Sequence, residues 1–222
     1  MVGPRWFVGF DSLMEVVAVI IALAIAYQAL KGYRLTKQRR LWYVHFSFAV
    51  LSAGLLIDSL IGFLGILART LRGTIALTSV GYSIYFFAQL LAYSMLIYAY
   101  VSQTRTPNAI SNPILLASLF GFATLQAVPI RLLGPLVEYH PVSEILLLFL
   151  VFYIAIKTGT NYSSTKDQNA FLVFLAFLLL ALSHLFFILQ PIGPLLFVIG
   201  HLLQLSGFVS LLLMLFRVNS NR

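Results

Sequence analysis

Between Asp167 and Arg217 the chain contains no Asp, Glu, Lys or Arg. One helix crossing ~30 Å of hydrocarbon needs roughly 20 apolar residues, so this run is about twice the length of a single span. It is interrupted once, at Gln190-Pro191-Ile192-Gly193-Pro194, a Pro/Gly cluster that cannot continue a helix. The segment reads as two spanning helices joined by a tight turn. The rest of the chain agrees, being 61% hydrophobic and 9% charged, against about 25% charged in soluble domains. In hydrocarbon every backbone polar group must be satisfied internally, so the expected fold is an all-α, polytopic helical bundle.

With 222 residues, the chain accommodates seven spans in a single transmembrane domain, 1–222. They are expected at about 13–30, 41–64, 74–101, 113–133, 141–156, 170–189 and 195–216. The first run has no small-residue cleavage site ahead of it and reads as a retained helix. Ser12-Leu13-Met14-Glu15 has the form of a capping box at its start. Arginine and lysine set orientation. Ten of them (Lys31, Arg34, Lys37, Arg39, Arg40, Arg105, Lys157, Lys166, Arg217 and Arg222) fall on one side of a seven-span layout, and four (Arg5, Arg69, Arg72 and Arg131) on the other. The amino end is therefore expected outside and the carboxyl end in the cytoplasm. This accounts for the +8 formal charge without nucleic acid. The basic loop Lys31, Arg34, Lys37, Arg39 and Arg40 is suited to anionic lipid headgroups or a partner.

Small residues mark helix contacts: Ser52, Gly54, Ser59 and Gly62 in the second span, and Gly200, Ser206, Gly207 and Ser210 in the last. The third span is rich in tyrosine, with Tyr93 deep enough to face other helices. No internal repeat is evident. With no cysteine, disulfides, thiolate metal sites and Cys nucleophiles are excluded. Phosphate-binding, nucleophile-elbow and dinucleotide motifs are absent.

Ionisable residues at membrane depth are costly and mark candidate sites. Asp58, Gln126, His184 and His201 are expected at one level in the outer third of the membrane, with Gln204 one turn deeper. Glu15 and Glu144 fall at its rim, each in a first helical turn that also explains a carboxylate by the helix dipole. His184 and His201 lie at matched depth on adjacent helices. The layer suits a polar ligand, a proton relay, a haem or metal ion held by His184 and His201, or an interhelical hydrogen-bond network.

The stretch Ala29-Leu30-Lys31-Gly32-Tyr33-Arg34-Leu35-Thr36-Lys37-Gln38-Arg39-Arg40-Leu41-Trp42-Tyr43, followed by a Phe/Leu/Gly-rich span, resembles the first hairpin of prokaryotic, archaeal-like seven-span sensor-type membrane regions. The resemblance implies a signalling role exerted through a membrane or cytoplasmic partner in the cell membrane. The first expectation is thus a non-enzymatic sensor-like module or accessory subunit with no resident cofactor. The alternatives are a haem- or metal-binding redox subunit using His184 and His201, and a proton-coupled small-molecule transporter using Asp58.

Overall fold

The computed structural model describes residues 10–67, 71–101 and 141–220. Every described element is helical: α1 Phe10–Thr36, α2 Arg39–Leu67, α3 Leu71–Val101, α4 Pro141–Thr165, α5 Gln168–Leu189, one 3₁₀ turn Gln190–Ile192, and α6 Pro194–Ser220. All six long helices have the length and apolar character to cross a membrane. Even the shortest, α5 with 22 residues, is long enough for ~30 Å of hydrocarbon at about 1.5 Å per residue. The expected span 113–133, with Gln126, and His140 lie outside the described residues.

The helices begin and end where local chemistry dictates. α1 and α4 stop at lysines in left-handed conformation, Lys37 (φ 58) and Lys166 (φ 52). Their N–H groups donate to Tyr33 O at 2.7 Å and Tyr162 O at 2.8 Å, closing the last turn. Asp167 caps α5 by accepting from Ala170 N at 3.2 Å. The Pro/Gly cluster forms the expected break between α5 and α6. α1 already includes Phe10, so Ser12 lies within the helix and not at its start, where the capping box was expected. Glu15 therefore sits inside the helix, where no cap accounts for it. α4 continues past Ile156 to Thr165, with Lys157, Thr160 and Asn161 extending it as an exposed helical end.

Successive helices pack as antiparallel neighbours within two groups, α1–α2–α3 and α4–α5–α6. The groups meet along two seams, α3 against α4 and α1 against α6. Asn219 Nδ2 of α6 donates to Gln28 Oε1 of α1 at 2.8 Å, which places the two carboxyl-terminal ends together and makes these helices parallel. Among the described residues, the outer faces of the helices carry exposed apolar side chains: Phe149 is 66% exposed and Leu202 52%. Among the fully buried side chains are Tyr93 and His184. This distribution suits a lipid solvent, in which leucine and phenylalanine cover the outside and polar groups are retained within. Of the small residues singled out, Ser52, Gly54, Ser59, Gly200, Gly207 and Ser210 are buried, whereas Ser206 is exposed and donates to Leu202 O within its own helix.

Candidate functional site

The α3–α4 seam and α5 bring together a buried polar cluster. α4 projects Glu144 and Ser143, α5 projects His184, and α3 projects Tyr82, Gln89 and Tyr93. His184 is 1% exposed and Glu144 8%. His184 Nδ1 lies 2.7 Å from Glu144 Oε2. The second carboxylate oxygen, Oε1, accepts from the Tyr82 hydroxyl at 2.8 Å. Tyr82 has one proton to donate, so Ser143 Oγ, also at 2.8 Å, donates to the Tyr82 oxygen. On the other face of the imidazole, Tyr93 Oη stands 3.4 Å from His184 Nε2. The two rings meet edge to face, with centroids 5.9 Å apart, and the Gln89 amide donates to Tyr93. A continuous hydrogen-bonded line therefore runs Gln89–Tyr93–His184–Glu144–Tyr82–Ser143.

Chemically, the centre of this line is a carboxylate–imidazole pair held out of water. An ionised carboxylate buried alone costs many kcal/mol, and partners on both oxygens are what make its burial tolerable. The pair has positions for a proton on either group. The tyrosines hold its geometry and extend it across three helices.

A second polar group adjoins the first. Gln204 Nε2 donates to Tyr85 Oη at 2.6 Å, joining α6 to α3. Asp58 faces α3: a Cβ added to Gly81 would fall 2.6 Å from Asp58 Oδ1, so any larger residue there requires the carboxylate to shift. Asp58 lies within electrostatic reach of both Tyr82 and Tyr85, and Glu15 within reach of Tyr85. Asp58, Glu15, Gln204 and His184 thus border one polar layer across α1, α2, α3, α5 and α6.

The two histidines are placed differently. His184 is committed to Glu144. His201 packs against Phe197 and Phe187, with centroids 4.5 Å and 5.1 Å away. Phe187 also contacts the His184 ring at 6.2 Å, so one phenyl ring touches both imidazoles. Among the described residues no group of three or more His, Cys, Asp or Glu is gathered for a metal ion. His45 bonds through Nδ1 to Ala26 O at 2.9 Å and ties α2 to α1.

At the opposite end of the bundle, Lys31, Arg34, Lys37 and Arg39 are exposed. Arg40 instead stacks over Tyr100 at 4.0 Å and joins α2 to α3.

The residue that sequence reasoning undervalued is Glu144, along with its partners Tyr82 and Tyr93. Its position in a first turn offered an adequate local explanation. The available signal was depth, since Glu144, His184 and Tyr82 all lie near the same end of the bundle. Comparison of the chain with protein-family models, with curated proteins and with solved structures finds no match in any of the three.

Proposed function

We propose that this chain is a non-enzymatic, seven-span membrane protein that handles protons at the Glu144–His184 pair and couples them to passage of a small molecule between its two three-helix groups. The observation that carries this reading is the pair itself: a carboxylate and an imidazole, both buried, bonded at 2.7 Å across the interface between α4 and α5 and linked by tyrosine to α3. Buried ionisable chains of this kind mark proton pathways in transporters, and sites in such proteins lie between structural halves. Asp58, against the adjoining layer, serves as a second proton-binding group.

Two features support the seven-span topology. α1, α3, α4 and α6 run in the same direction, so Val101 and Pro141 belong to opposite ends of the bundle. The expected span at 113–133 would account for that change of end. Lys31, Arg34, Lys37, Arg39, Lys157, Lys166 and Arg217 belong to the end at which α1, α4 and α6 terminate, which supports a cytoplasmic placement of that end.

The test is proton movement in proteoliposomes containing an internal pH-sensitive dye, with sugars, amino acids and amines offered outside. A solute that drives proton uptake, lost in Glu144→Gln and in Asp58→Asn, is the expected result. Flux unaffected by Glu144→Gln in folded protein sinks the reading.

A sensor-like module or accessory subunit is the second reading, favoured by the exposed basic end. Lys31, Arg34, Lys37 and Arg39 are available to anionic lipid or to an acidic membrane or cytoplasmic partner. Mild extraction that recovers a stoichiometric partner, lost when these four are changed to Glu, separates it from the carrier. Nothing in the arrangement of His184 and His201 favours the haem or metal reading.

A further inference from the structure

We infer that α1–α3 and α4–α6 are two copies of one three-helix unit, and that Glu15 and His201 form on the α1–α6 seam the counterpart of Glu144 and Tyr82 on the α3–α4 seam. The inference starts from the two helix ends. Tyr33-Arg34-Leu35-Thr36-Lys37 and Tyr162-Ser163-Ser164-Thr165-Lys166 share Tyr, Thr and Lys at the same spacing. They also share geometry. Each lysine is left-handed and donates to the carbonyl of its tyrosine. Each ammonium lies over that tyrosine ring, at 5.9 Å and 5.5 Å. The N–H after each lysine meets the threonine hydroxyl, at 3.3 Å and 3.4 Å.

In the register these ends define, Glu15 falls on Glu144, Ile25 on Ile154, Ala26 on Ala155, Phe48 on Phe177 and Leu51 on Leu180. The four apolar pairs are buried in both copies. Asp58 falls on Phe187. Each of these two side chains occupies the space opposite a glycine of the next helix: Asp58 against Gly81, and Phe187 against Gly200. Setting Gly81 on Gly200 fixes the register of the third helices. It places Tyr82 on His201 and Tyr85 on Gln204.

An observation not used in building that register then tests it. Tyr85 and Gln204 are bonded to each other at 2.6 Å. A side chain that touches its own equivalent lies on a twofold axis. The seams behave the same way, because exchanging the copies turns α3 against α4 into α6 against α1. The members of the pair run parallel, so the axis runs along the bundle. The Tyr82–Glu144 contact therefore has Glu15 and His201 as its image, one such clasp on each side of the axial Tyr85–Gln204 bond.

The copies have diverged where the proton centre stands. His184 falls on Leu55 and Tyr93 on Leu212. Only the α3–α4 seam thus carries an imidazole at the His184 position, whereas on the second seam the imidazole, His201, stands in the clasp itself at the position of Tyr82. The second seam keeps the clasp alone, a structural counterpart that lets both units engage the axis alike.

Absence of native cysteine makes the test clean. Glu15→Cys/His201→Cys and Tyr82→Cys/Glu144→Cys double variants are oxidised in membranes, beside an Ile20→Cys/His201→Cys control. Both clasp pairs are expected to cross-link and the control to remain reduced. Cross-linking of the 82/144 pair without the 15/201 pair overturns the inference. A thermal-denaturation cycle on Glu15→Gln and His201→Phe decides the matter if the cysteine variants do not fold. Coupled positions give a double-variant Tm loss smaller than the two single losses together, and a strictly additive loss overturns the pairing. This inference rests on packing alone, so it stands or falls separately from proton-coupled transport.

Discussion

At the scale of single residues, Glu144 is bonded on both oxygens, by His184 and by Tyr82. Removing one partner leaves the other charged or polar group stranded. His184→Ala is expected to cost about 3–5 kcal/mol, as broken buried pairs do. Replacing both, as Glu144→Leu with His184→Leu, is expected to recover most of that loss while abolishing proton handling. Tyr93→Phe removes the long hydrogen bond to His184 and the one accepted from Gln89 and should cost about 0.6–1.7 kcal/mol, the range for polar contacts between membrane helices. Denaturation of the purified variants in mixed micelles measures all three. Asp58, His184, Gln204 and Glu15 were legible as polar residues within long apolar runs. The importance of Glu144 was not, because a carboxylate in a first helical turn is stabilised by the helix end alone. Nor did depth distinguish His184 from His201. Which imidazole meets the carboxylate depends on helix rotation, and that follows from packing between neighbours.

At the scale of elements, the helices and their breaks follow from short-range chemistry. Lys37 and Lys166 each adopt a left-handed conformation that costs a non-glycine residue roughly 1 kcal/mol. Lys37→Gly and Lys166→Gly are each expected to stabilise the protein by up to that amount, less the lost contact of the ammonium with its tyrosine. An increased denaturation midpoint checks this. Unchanged or lowered midpoints in both variants contradict it. Gly81 acts at longer range. Gly81→Ala puts a methyl group 2.6 Å from Asp58 Oδ1, so the carboxylate or the helix must move. A lowered Tm is expected, with partial rescue by Asp58→Ala, which clears the space. The tight turn at Gln190–Gly193 was readable from Pro and Gly. The extent of α4 beyond Ile156 was not, because a polarity window marks where lipid ends and not where hydrogen-bonded turns end.

At the scale of the whole molecule, six described helices can cross a bilayer. The topology proposed here has a direct check. Ser220→Cys should react with a membrane-impermeant thiol reagent only in inverted vesicles, and Val142→Cys only in intact cells. The opposite pattern reverses the orientation. The internal repeat escaped sequence reading for physical reasons. Lipid-facing and core positions accept any apolar side chain of suitable volume, so identity decays while burial persists. α2 also extends further past Asp58 than α5 does past Phe187, and α3 begins further ahead of Gly81 than α6 does of Gly200, which shifts the register of the third helix.

Apolar runs and their Pro/Gly interruptions were sufficient for a helical protein whose long helices are apolar enough to cross a membrane. Those properties depend on transfer free energy and backbone hydrogen bonding, which act within each segment. Pairing Glu144 with His184, seating Asp58 against Gly81 and bonding Tyr85 to Gln204 required the assembled bundle. Each depends on the rotation and separation of two helices, set by the side chains of both at once.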